Sequence, residues 1–157
     1  MVNARQAVTW ATIVSAFLVT WEGTDLVAKP DRLAYDLTTF CNGLTARDED
    51  PSVKPGDRFT PAECHERLLK ALPRYAGPVL VCVHGTPSQH ALAAFVSGAW
   101  NAGPGAMCKS PMVRAFNAGE PDFCDHFLGW YEISGGQWRK GLHNRRLAEA
   151  KLCRTED

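Results

Sequence analysis

The chain has 157 residues, and its 17 basic side chains balance 17 acidic ones. That length suits one domain, or one domain split into two lobes. An apolar content of 45% excludes a disordered tail or a fibrous repeat, and the zero net charge argues against a strongly basic nucleic-acid binder.

No charge interrupts residues 6–21, where Trp10, Ile13, Val14, Phe17, Leu18 and Trp21 recur at helical spacing. An apolar helix within residues 1–21 follows, and two readings of it stand. It packs as a buried helix, or residues 7–20 act as a signal-peptide core or weak membrane anchor, shorter than the ~20 residues of a standard span. Both hold if the segment first sits in a bilayer and later packs on the protein. Residues 22–60 are rich in Gly, Pro, Asp and Thr. They read as loops plus a small β-hairpin over roughly Leu33 to Thr45. Pro51 to Arg58 reads as a polar loop with a turn at Pro55-Gly56.

Helical signals then dominate. Thr60-Pro61-Ala62-Glu63 is a capping box with proline at the first helical position. Cys64, Leu68 and Leu72 follow on one face, and Pro73 is expected to end that helix. A second helix runs from about Gln89 to Ala102 and stops at Gly103-Pro104. Ser110-Pro111 opens a short helix closed near Gly119, Pro121 opens another carrying Phe123 and Phe127, and Gly135-Gly136 makes a turn. The last helix spans about His143 to Cys153. The fold class is therefore α+β and mainly helical: a single domain over 1–157, with a small hairpin lobe at 22–75 and a helical lobe at 76–157.

The six cysteines are dispersed and none forms a C-x-x-C pair, which disfavours zinc ribbons and thioredoxin-type sites. Three disulfides explain such a set better, with fifteen pairings open, and would place the working protein outside the cytoplasm. The five histidines show no metal-ligand spacing, and no phosphate loop, nucleophile elbow or dinucleotide fingerprint is present. No metal and no cofactor are expected.

Candidate chemistry rests on carboxylates. Glu22 ends the apolar segment, an under-solvated position that suits a proton donor. Asp31 lies nine residues on, in a loop that can fold back toward it, with Asp25 and Asp36 as rivals. Two carboxyls in unlike environments can divide acid and base work across a glycosidic bond. The Thr39 hydroxyl is placed to hold a water. The plainer alternatives are a surface glutamate at a helix end, a turn aspartate and a strand threonine. Residues 137–154 hold six basic side chains against Glu149 alone, either a solvated helix face or a surface for an anionic polymer or membrane.

The order of these motifs resembles the phage-type lysozymes, glycoside hydrolase family 24. The block Trp21-Glu22-Gly23, then Asp31, then Thr39-Phe40-Cys41-Asn42-Gly43-Leu44-Thr45 is similar to that family's catalytic stretch. Gly56 to Cys64, Gln89 to Leu92, Asn101-Ala102-Gly103 and the run from Cys108 to Cys153 through Arg145-Arg146 and Glu149 follow in family order. Lys29 stands where tyrosine is common, the interval from Asp31 to Thr39 is longer than usual, and its customary glycine is missing.

The resemblance implies a two-lobed lysozyme fold. It implies Glu22 as general acid, Asp31 as base or charge stabiliser, Thr39 as water-positioning group, and Asn101 and Arg145 as substrate-binding or supporting residues. It implies peptidoglycan glycan strands as substrate, cleaved between N-acetylmuramic acid and N-acetylglucosamine during phage-driven lysis. The expected pairing is Cys41–Cys64, Cys82–Cys108 and Cys124–Cys153. A monomer is expected, made in the host cytoplasm and acting in the periplasm or wall. Transient membrane contact through residues 7–20 would follow if they form a signal-anchor-release segment. An inactive wall-binding or virion protein and a lytic transglycosylase are the rival readings.

Overall fold

A computed structural model describes residues 9–157. The apolar periodicity produces helix α1, Trp10–Glu22, on which Val14 and Leu18 are fully buried. Residues 1–8 of the expected N-terminal segment lie outside the described residues. Among those described, no helix is long and apolar enough to cross a membrane. The chain divides into two compact units, residues 15–73 and residues 9–14 with 74–157, so one division falls inside α1.

The first unit carries an antiparallel sheet of three strands, β1 Asp25–Asp31, β2 Leu37–Cys41 and β3 Leu44–Thr45, in that spatial order. This corrects the expectation of loops before Leu33, since β1 is a full strand. Pro30 hides it, because proline lacks the N–H a central strand needs; β1 lies at the edge, where proline is tolerated. The other rim of β1 is met by the loop before residue 60: Ala28 N–H donates to the Asp57 carbonyl and Phe59 N–H to that of Leu26, each at 2.8 Å. That contact seals an otherwise open edge. A short helix, α2 (Ala46–Glu49), follows β3, with Thr45 as its cap. Phe40 stacks on Phe59 at 5.0 Å, and the Arg67 guanidinium lies over both rings while pairing with Asp50 at 3.2 Å. The Cys41–Cys64 disulfide ties the sheet to the next helix.

That helix, α3, spans Pro61–Cys82. Its capping box forms: Thr60 N–H donates to Glu63 Oε2 at 2.7 Å and Glu63 N–H to Thr60 Oγ1 at 3.1 Å. Pro73 does not end it, contrary to expectation, and the helix also passes Pro78. An interior proline costs ~3 kcal/mol. Burial of Leu72, Ala76 and Val79 on both sides of the missing bonds offsets that cost.

The second unit is built around α4, Gln89–Ala102, whose residues from Ala91 to Trp100 are all buried. Gly98 is dictated by packing, since a Cβ there would lie 2.2 Å from Met107 Cε. Helices α5 (Pro104–Cys108), α6 (Pro111–Asn117) and α7 (Lys140–Cys153) complete it, with disulfides Cys82–Cys108 and Cys124–Cys153. Phe95 meets the rings of Phe116, Phe123 and Phe127. One expectation is corrected here, and the turn expected at Gly135-Gly136 forms. The segment after Pro121 is a 3-10 turn, Phe123–Phe127, rather than a longer helix. Gly135-Gly136 is the tip of a β-hairpin, strands β4 (Ile133–Ser134) and β5 (Gln137–Trp138).

Candidate active site

Glu22 is the last residue of α1 and is half-buried. Gly23 follows with φ +68°, turning the chain sharply into β1. Asn42, buried at the β2–β3 turn, donates from Nδ2 to the Gly23 carbonyl at 2.6 Å and to Thr24 Oγ1 at 3.0 Å. It thereby binds the segment just after Glu22 to the sheet. Its neighbour Gly43 has φ +75°, and a Cβ there would lie 3.0 Å from Glu22 Oε2. Both its backbone conformation and this close approach call for glycine.

The strand register brings the other polar groups to the same place. Lys29 pairs with Thr39, Asp31 with Leu37, and Thr39 in turn with Thr45. Alternation along the strands puts Lys29, Asp31, Thr39 and Thr45 on one face. Thr38 pairs with Pro30 and faces the other way. The result is a cavity of about 530 Å³ lined by Glu22, Asp31, Thr39, Thr45 and Gly43, with Asp25, Lys29 and Arg32 among its further walls. Lys29 Nζ pairs with Asp25 at 3.0 Å. The lengthened interval after Asp31 forms a 3-10 turn, Arg32–Ala34, and then closes through Asp36 N–H to the Asp31 carbonyl at 2.9 Å. Tyr35 and Asp36 adopt φ +55° and +58°, taking the left-handed conformation in an interval without glycine.

The cavity thus gathers three expected residues, Glu22, Asp31 and Thr39, from a helix end and two strands. Asp25 also lines it, whereas Asp36 lies in the closing turn. Sequence reading assigned no role to Asn42, Gly43, Thr45 or Arg32. The Asn-Gly pair was a visible hairpin signal; the wall formed by Arg32 depends on the turn and left no signal.

Asn101 and Arg145 belong to the second unit, Arg145 in a buried ionic knot and Asn101 exposed at its edge. Arg145 Nε donates to Glu149 Oε1 at 3.1 Å, and its Nη2 to the Ser97 carbonyl at 3.3 Å. Ser97 Oγ donates to the same carboxylate oxygen at 2.7 Å, and Arg146 Nε lies 3.2 Å from the other. Arg146 also donates to Asn101 Oδ1 and stacks over Trp130 at 5.1 Å. Burial pushes the Glu149 carboxyl up, against the pull of Arg146 and Arg145. In the same unit Glu132 accepts from the Gly129 amide, the Trp138 indole and the His143 ring at 2.8, 2.9 and 3.1 Å. Burial works to raise its carboxyl, and these three bonds hold it below its ordinary value. Glu120, Asp122 and His126 also gather within 4.8 Å, with both acids exposed, an arrangement acidic groups commonly adopt without an ion.

The family model for phage lysozyme matches residues 19–149. The chain belongs to that family. It is 32% identical over 142 residues to the SAR-endolysin of Pseudomonas phage phiKMV, covering 88% of this chain and 84% of that protein. It is 35% identical over 127 residues to the SAR-endolysin of Escherichia phage Mu, covering 78% and 69%. The family makes this a glycoside hydrolase of lysozyme type. The fold is also that of the muramidase domain of SpmX from Asticaccaulis excentricus, with a TM-score of 0.80 at 23% identity, covering 91% of this chain and 95% of that one. A P22 lysozyme mutant gives 0.80 at 24%, covering 92% and 97%.

Proposed function

We propose that this family member is an endolysin that hydrolyses the β-1,4 bond between N-acetylmuramic acid and N-acetylglucosamine. The observation that carries this reading is one cavity lined by Glu22, Asp31 and Thr39 in a phage-lysozyme chain. Glu22 protonates the departing sugar oxygen as the glycosidic bond breaks. Asp31 acts on the opposite side, as base toward water or as a stabiliser of the developing positive charge. Thr39, paired with Lys29 across β1 and β2 and lining the same cavity, orients that water through its hydroxyl. Two carboxyls and a water supply the whole reaction.

Digestion of purified peptidoglycan, with the fragments weighed, tests this. Muropeptides with reducing ends are expected. Anhydro ends would mean a lytic transglycosylase, and no products would mean a wall binder. Glu22→Gln is expected to lower cleavage by about 10²–10⁴-fold, and a variant at full rate would overturn the assignment.

The same reading includes export by signal-anchor release through residues 7–20, supported by the relatives' designation and by the uncharged run up to Trp21. Fusion of residues 1–24 to a periplasmic reporter is expected to carry it across the membrane. A reporter that stays cytosolic would sink this part. The protein acts as a monomer in the wall, which sedimentation of the purified chain would check.

A further inference from the structure

The cavity that holds Glu22 and Asp31 has charge beyond its proposed catalytic pair. Its walls carry two cations, Lys29 and Arg32, and a third acid, Asp25. Lys29 is matched by Asp25, 3.0 Å away. Arg32 is exposed, and among the described residues no acidic group lies at ion-pair distance from it. Its backbone is anchored all the same. It opens the 3-10 turn directly after Asp31, in the loop closed by the bond from Asp36 N–H to the Asp31 carbonyl. Arg32 is therefore tethered one residue from the proposed base, lines the cavity, and has no carboxylate at ion-pair distance among the described residues.

We propose that Arg32 binds a carboxylate of the substrate and so makes this cavity selective for wall glycan over uncharged acetamido-sugar polymers. The inference rests on the muramidase reading above. N-acetylglucosamine is neutral, whereas N-acetylmuramic acid carries a lactyl group ending in a carboxylate, or in an amide to a peptide stem with carboxylates of its own. Such a ligand meets repulsion from Glu22, Asp25 and Asp31, which the chemistry of the site requires or which already serves Lys29. A planar guanidinium offering paired N–H groups is the complementary partner for a carboxylate. The group binds and positions; it does not touch the reacting atoms.

Steady-state kinetics of wild type, Arg32→Gln and Arg32→Lys on three substrates test this. The first is solubilised glycan strands with their peptide stems. The second is strands stripped of peptide by an amidase, which leaves the lactyl carboxylate. The third is stripped strands whose lactyl carboxylates have been converted to amides. Arg32→Gln is expected to raise KM about five-fold on carboxylate-bearing strands with kcat unchanged, as for loss of a solvent-exposed ion pair. On the amidated strands it should match wild type. Arg32→Lys, which keeps the charge, should recover most of the loss, and added salt should shrink it. A loss only on the first substrate assigns the peptide stem, only on the second the lactyl group, and on both either source; each supports the proposal. Equal KM on all substrates, or an equal loss on the amidated strands, overturns it. A wild-type enzyme that cleaves none of the three overturns the muramidase reading, and this inference with it.

Discussion

Glu22 and Glu149 are the same side chain in opposite surroundings, one in each unit. Glu22 is half-buried at a helix end, held by the glycines and the Asn42 stitch around it, and lines a cavity. Glu149 is sealed in the helical unit against Arg145, Arg146 and Ser97. A carboxyl kept near water can exchange a proton with a substrate. One locked between guanidiniums ties α7 to α4 and is removed at great cost.

The sharpest test of that contrast is Glu22→Gln, expected to lower activity by about 10²–10⁴-fold, the usual worth of a general acid, with the melting temperature almost unchanged. Glu149→Ala should do the reverse. It strands two buried guanidiniums and should destabilise the fold by about 3–5 kcal/mol in denaturant unfolding. Equal stability losses in the two variants would break the comparison. Asn42→Ala should cost about 1–3 kcal/mol, the worth of a bond network lost at a buried site, and should also lower kcat because it releases the chain next to Glu22. Gly43→Ala should cost about 1–2 kcal/mol from its φ alone and displace the Glu22 carboxyl, visible as reduced kcat at unchanged fold. The smallest effect concerns Glu132. Its carboxyl is held below the ordinary value in the folded state, so its contribution is present above the ordinary carboxylate range, about pH 4. It is lost as pH falls through the lowered folded value. Glu132→Gln should therefore narrow its gap in melting temperature to wild type in acid, and a gap independent of pH would contradict the assignment.

Much of this was legible in one dimension because it is local. The capping box at Thr60 and Glu63, the Ser110-Pro111 start of α6, and the apolar spacing of α1 each sit within a few residues. What stayed hidden depends on distant partners. Strand β1 is stabilised by bonds to residues 56–59, and Pro30 masks it. The passage of α3 through Pro73 is decided by what buries Leu72 and Ala76. Glu22, Asp31 and Thr39 could be singled out by residue type and order, but Arg32 and Asn42 acquire meaning only when the β1–β2 and β2–β3 turns are closed.

The covalent wiring carries one more consequence. Every disulfide closes within a single unit: Cys41–Cys64 in the sheet-bearing part, Cys82–Cys108 and Cys124–Cys153 in the helical part. The molecule is stapled as two independent circuits with no sulfur bridge shared. A reductant therefore loosens each circuit on its own schedule, and mild thiol treatment should yield discrete, separately countable partly reduced species by mass rather than one all-or-none collapse.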